Sequence, residues 1–200
     1  MSTSALDPTT VAVATQFDLA TGLAAGVPSL RRPLSAMRGM YADAAAFEAA
    51  VDAGDPLTYE FYDMGVPALE TEIAYGTSIT YPGKVGDEFH MTKGHFHERL
   101  EAAEIYLCLS GRGLMLMESP EGDVQVEEFA PGRSVYVPGR YAHRSINTSP
   151  DEPLITFFAF PGDAGHDYGT IETKGFRKIV VERDGAPELV DNPRWQDGGR

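Results

Sequence analysis

Two hundred residues are enough for one domain with a substantial core. With 30 acidic side chains against 16 basic ones, a formal net charge of −14 excludes non-specific adhesion to nucleic acid or to an anionic membrane. The single cysteine, Cys108, excludes an intrachain disulfide, reads as a small buried hydrophobe and suits a reducing, cytoplasmic location.

Residues 1–16 are small, polar and β-branched, and read as a flexible arm before one domain over residues 17–200. They lack the basic and apolar blocks of a signal peptide. No later run approaches the roughly 18 apolar residues of a transmembrane helix. Phe17-Asp18-Leu19 opens a short strand, and Arg31-Arg32-Pro33 ends any helix in the Ala/Gly-rich stretch before it. A helical lead-in over 33–54 follows. Leu34, Met37, Met40 and Tyr41 recur at helical spacing, and Asp43 precedes a short amphipathic helix over 44–51. Gly54-Asp55-Pro56 stops it. From Leu57 the texture is β, and a barrel core is predicted over 57–190. Strands are expected at 57–62, 77–81, around the histidines at 95 and 97, from Glu104 to Leu109, and at 134–137 and 154–160. Hairpins are expected over 114–129 and 178–190, and residues 81–87 read as a turn. Trp195, the only tryptophan, packs the tail down. Short strands separated by Gly/Pro turns argue an all-β sandwich or barrel.

The chemistry concentrates in one stretch. On a strand, His95 and His97 point to the same face and offer two imidazole nitrogens to one point. Glu104 opens the next apolar run, with Tyr106 and Cys108 on its face. Farther on comes His143. Three neutral nitrogens and one carboxylate oxygen suit a divalent metal such as iron, manganese, nickel or zinc. Glu101 is a rival carboxylate, although the strand pattern favours Glu104. His90 reads as structural.

Two motifs, His95-x-His97-x6-Glu104-x6-Gly111 and Gly132-x5-Pro138-x4-His143-x3-Asn147, resemble those of the cupins, whose glutamate usually falls nearer the second histidine, where Glu101 stands. The longer spacing to Glu104 is similar to one branch, the cupin-type phosphoglucose isomerases. So are Thr92-Lys93-Gly94-His95, Val135-Tyr136-Val137-Pro138 and Pro161-Gly162-Asp163-Ala164-Gly165-His166-Asp167-Tyr168. The resemblance runs from about Phe17 to Trp195. It implies an all-β cupin double-stranded β-helix, a jelly-roll barrel. It also implies a homodimer with one divalent metal ion per subunit, often Fe2+, and interconversion of glucose 6-phosphate and fructose 6-phosphate. By that resemblance His95, His97, Glu104 and His143 hold the metal. Tyr59, Thr92, Gly94, Tyr106, His166 and Tyr168 line the sugar-phosphate pocket. Phe160 stands where the branch usually has tyrosine, and Arg140 replaces an aromatic residue.

Aldose–ketose isomerisation needs a base to move a proton between C1 and C2 and an electrophile to steady charge on the oxygens. Glu104 is the expected base, for a cis-enediol route with hydride shift as its rival. Tyr106 orients the sugar or relays a proton, and His166 handles ring opening. The phosphate is expected on Thr92 and the Gly94 N–H, with Lys93 or Arg140 adding charge. Tyr59 and Tyr106 serve equally well as barrel packing, and Lys93 as a solvated charge. Two other classes fit the same metal motif: a different cupin enzyme, such as a dioxygenase or another sugar isomerase, and a non-catalytic sugar-binding cupin.

Overall fold

A computed structural model describes residues 12–197; most of the expected N-terminal arm, residues 1–11, lies outside the described residues. Phe17 forms a single bridge to Ala24 rather than opening a strand. The Arg31-Arg32-Pro33 stretch, expected only to stop a helix, is instead strand β1 (Leu30–Pro33), at the edge of a sheet beside β2 (Leu57–Asp63). Pro33 ends that edge strand, where a missing N–H is tolerated.

The lead-in is less helical than its spacing predicts. Leu34–Met37 make one 3-10 turn, yet Leu34, Met37, Met40 and Tyr41 are all buried in one core cluster. Helix α1 (Ala44–Asp52) starts where expected, because the Asp43 carboxylate accepts the Ala46 N–H at 2.8 Å. It buries Phe47 against Tyr41, with ring centroids 6.0 Å apart.

The remaining strands are β3 (Ile73–Thr80), β4 (Lys84–Val85), β5 (Glu88–Phe89), β6 (Glu104–Ser110), β7 (Gly113–Glu118), β8 (Val124–Phe129), β9 (Ser134–Val137), β10 (Ala142–Asn147), β11 (Leu154–Pro161), β12 (Lys178–Arg183) and β13 (Ala186–Asp191). A short helix, α2 (Tyr168–Lys174), lies between β11 and β12. One sheet runs β1-β2-β3-β11-β6-β9, a second β10-β7-β8 and a third β13-β12-β5-β4. All pairs are antiparallel.

The pairing is nested. β7 pairs with β8 and then β10, while β6 pairs with β9 and then β11. A two-stranded ribbon thus coils with its β6–β11 pair in one sheet and its β7–β10 pair in the other, which is the double-stranded β-helix of the cupins. Inward residues of β6, β7, β8, β9 and β11 share one cluster: Tyr106 and Cys108, Met115 and Met117, Phe129, Val135 and Val137, Leu154 and Phe158. Along β6, Glu104, Tyr106 and Cys108 are buried while Ile105 and Leu107 face outward. The turn before β7 requires glycine: Gly111 has φ +80, and a Cβ there would lie 2.2 Å from the Pro153 carbonyl oxygen.

Three elements depart from expectation. Residues 81–87 contain β4 and lead into its hairpin partner β5, rather than forming a plain turn. β10 was not expected, because all six of its residues are buried and four are polar, so it shows neither alternation nor an apolar run. α2 was not expected, although Asp167 caps it by accepting the Thr170 N–H at 3.1 Å. Among the described residues no helix is long and apolar enough to cross a membrane.

Candidate active site

A cavity of about 270 Å³ opens between the sheets, with His95, Glu104 and His143 among its lining residues. Glu104 and Tyr106 enter it from the inward face of β6, and His143 from β10. The histidine segment is not the regular strand its spacing predicts. It is held by single bridges, His95 to His143 and Phe96 to Asp167. His95 and His97 nevertheless converge, with ring centroids 5.5 Å apart, and both reach the ring of His143.

One ligand atom from each of His95, His97, Glu104 and His143 lies within 4.8 Å of the others. The tautomers are set from behind. His97 Nδ1 faces the Ala102 carbonyl at 2.9 Å, and His143 Nδ1 faces the Tyr141 carbonyl at 3.2 Å. Each Nδ1–H therefore donates outward, and each neutral ring presents an unprotonated Nε2 inward. Those two atoms stand 3.1 and 2.9 Å from Glu104 Oε2. His95 Nε2 is buried with no hydrogen-bond partner. Several acceptors facing one point, without donors between them, is the environment a cation relieves. The donor set fits a divalent transition metal. Glu101 is exposed and its carboxylate turns toward Arg140, so Glu104 and not Glu101 is the carboxylate that joins this cluster.

The surroundings set the charges. Burial pushes the Glu104 carboxyl up, but the imidazoles around it, His143 first, outweigh burial and hold it well below the usual carboxylate range. Burial, then the Glu104 charge, pushes the Tyr106 hydroxyl far up, so it stays protonated. Burial lowers His166 and keeps it neutral at pH 7. Its ring stacks on Tyr168 at 5.7 Å, lies 4.5 Å from His95, and meets Phe160 edge-on at 5.3 Å.

Tyr59, Thr92, Lys93, Gly94, Phe160 and Tyr168 also line the cavity. Thr92 is fixed against β10: its N–H donates to the Ser145 carbonyl at 2.9 Å, and its Oγ1 accepts the Ser145 N–H at 3.0 Å. The Lys93 ammonium is paired with Glu172 of α2. Arg140 is not in the cavity. It is exposed, at φ +75, and pairs with Glu101 and Glu121, which removes it as a source of phosphate charge. His90 lies apart from the cluster, its N–H bonded to the Gly83 carbonyl. Phe61, Asp63, Ser78, Ser145 and Phe158 were missed. For Phe61 and Asp63 the signal was present, because they share the Tyr59 face of β2 at i+2 and i+4.

Behind the cavity, Glu88 is buried. One carboxylate oxygen accepts the Ala42 N–H at 2.8 Å and the other has no partner. Burial lifts its pKa to about 7 against the pull of Arg144 and Arg194. Between about pH 4.5 and 7 the unfolded chain has released this proton and the folded chain keeps it, so stability falls as pH rises. Glu88→Gln is expected to remove that slope and to make the protein more stable than wild type at pH 8, by up to ~3 kcal/mol. Urea melts at pH 5 and pH 8 read both effects.

With this geometry in hand, comparison with known proteins gives a consistent picture. The family model described as glucose-6-phosphate isomerase matches residues 31–195. A protein named glucose-6-phosphate isomerase from Thermococcus litoralis is 46% identical over 181 residues, spanning 90% of this chain and 95% of its own. One of the same name from Pyrococcus furiosus is 47% identical over 181 residues, with the same coverage of 90% and 95%. Among solved structures, one described as giving insights into the mechanism of oxalate oxidase superposes with a TM-score of 0.48 at 12% identity, over 59% of this chain and 58% of that one. A likeness of that size carries no argument.

Proposed function

The chain belongs to the glucose-6-phosphate isomerase family, and from that premise we propose that its cavity interconverts glucose 6-phosphate and fructose 6-phosphate with one divalent metal ion per subunit. The observation that carries this is the buried convergence of His95, His97, Glu104 and His143 acceptor atoms, with His95, Glu104 and His143 on the wall of a sugar-sized cavity. The metal, when bound, supplies a Lewis acid for the oxygens at C1 and C2. Fe2+ is our expectation, and the same donors suit Mn2+, Ni2+ or Zn2+.

The protein's own groups divide the remaining work. Glu104, held ionised, takes a proton from one carbon and returns it to the other through a cis-enediol. Tyr106, protonated and beside Glu104, donates to a substrate oxygen and orients the chain. Neutral His166 reaches the ring oxygen and moves the proton that ring opening requires. The phosphate rests on Thr92 and on the Gly94 N–H. Tyr59 and Tyr168 flank the sugar.

The substrate is a small molecule, and no nucleic acid or membrane enters this reading. A second copy of the chain is the proposed partner. Ile105 and Tyr136 are register partners on β6 and β9, and both are exposed, with Leu107 beside them. An apolar group of that kind on an outer sheet face suits a homodimer contact. A cytoplasmic location goes with the single reduced cysteine. Steady-state assay of metal-loaded protein with fructose 6-phosphate tests the reaction. Turnover to glucose 6-phosphate, with fructose itself a much poorer substrate, is expected. Oxygen uptake on an organic acid with no isomerisation would overturn it.

A further inference from the structure

We propose that Arg144 is a positioning residue that aims and polarises the Lys93–Gly94 peptide, making the Gly94 N–H an anion-binding donor in the cavity. The inference rests on the isomerase reading for one point only, the identity of the anion as the substrate's phosphate.

Arg144 directly follows His143 on β10, so the two side chains leave the strand on opposite faces. His143 joins the acceptor cluster and lines the cavity, while Arg144 is 3% exposed and lies behind it. There Arg144 Nη2–H donates to the Lys93 carbonyl oxygen at 2.6 Å. A peptide group is planar and trans, so its C=O and N–H point in opposite directions. Holding the Lys93 carbonyl against Arg144 therefore turns the N–H of the same peptide, that of Gly94, away from Arg144. Gly94 lines the cavity, and among the described residues its N–H meets no acceptor.

A charged donor on the carbonyl also strengthens the peptide dipole, and with it the N–H as a donor. The Lys93 ammonium is occupied by Glu172, so this loop offers an incoming anion its backbone. Arg144 is itself held firmly. Its guanidinium lies 4.3 Å from the centroid of the Phe176 ring, and its Nη1–H donates to Met91 Sδ at 2.9 Å. A residue serving only as counter-ion to the buried Glu88 and Glu118 would not need this alignment with one peptide.

The test uses the metal-loaded full chain carrying Arg144→Gln or Arg144→Lys. KM and kcat for fructose 6-phosphate, competitive inhibition by inorganic phosphate, and bound metal are measured together. KM and the phosphate inhibition constant are expected to rise in parallel, by about tenfold, with kcat reduced less than threefold and metal content unchanged. Arg144→Lys keeps a positive charge against Glu88 and Glu118, so it decides the matter if Arg144→Gln fails to fold. An unchanged phosphate inhibition constant in a folded variant, or a lower kcat with KM unmoved, overturns the proposal. Phosphate binding that depends on Arg144, in a wild-type protein without isomerase turnover, would support this inference and remove the isomerase reading.

Discussion

Glu104→Gln is expected to lower kcat by at least ~10³, because one carboxylate holds two posts. Its Oε2 is the point on which His97 Nε2 and His143 Nε2 converge, at 3.1 and 2.9 Å. It is also the only carboxylate in the acceptor cluster among the described residues, and it is the base of the proposed reaction. Glutamine keeps the volume and one oxygen but loses the charge and the basicity. Metal affinity should fall with kcat, since a neutral amide replaces an anionic ligand. Glu101→Gln is the control. Glu101 is exposed and bonded toward Arg140 at 3.4 Å, so kcat, KM and metal content should stay within twofold of wild type. Retention of more than a tenth of kcat by metal-loaded Glu104→Gln would remove Glu104 from the role of base.

The second large effect is on folding and substrate affinity together. Gly94 has φ +76, which an alanine adopts only with strain. An added Cβ would also lie 2.7 Å from the Phe176 ring and 3.0 Å from Arg144 Nε, both fully packed. Strain and overpacking together are expected to cost ~2–5 kcal/mol of stability. What remains folded should bind fructose 6-phosphate more weakly, because the shifted peptide no longer points its N–H into the cavity. Urea unfolding gives the first quantity and KM the second. A Gly94→Ala protein as stable as wild type would mean that the loop has room this packing does not show.

The parts of the fold that could be read from the chain are those where one face is wet. Along β6, Glu104, Tyr106 and Cys108 alternate with outward Ile105 and Leu107, and the strand starts where the pattern says. Asp43 announced α1 through its cap. β10 gave no such signal. It is covered on both faces, and its buried positions hold His143, Arg144, Ser145 and Asn147, whose partners come from distant segments. No local rule anticipates a buried arginine whose hydrogen-bond partner is a carbonyl 51 residues away.

The site divides along the same line. His95, His97, Glu104 and His143 were readable as chemistry, although the bridged loop that brings His95 and His97 together is not the strand that suggested them. Arg140 was expected only as an added source of charge for the phosphate. Its left-handed backbone and its pairing with Glu101 and Glu121 turn it outward, which residue type does not reveal.

In the proposed reaction this acceptor cluster holds the metal on which isomerisation depends. The most direct measurement strips wild-type protein with a chelator, re-adds Fe2+, Mn2+, Ni2+ or Zn2+ separately, and follows fructose 6-phosphate turnover against metal bound per subunit. Turnover that vanishes on stripping and returns in proportion to occupancy, saturating at one ion per subunit, is the predicted result. Full turnover by folded protein shown to be free of metal would mean that isomerisation needs no ion at this cluster.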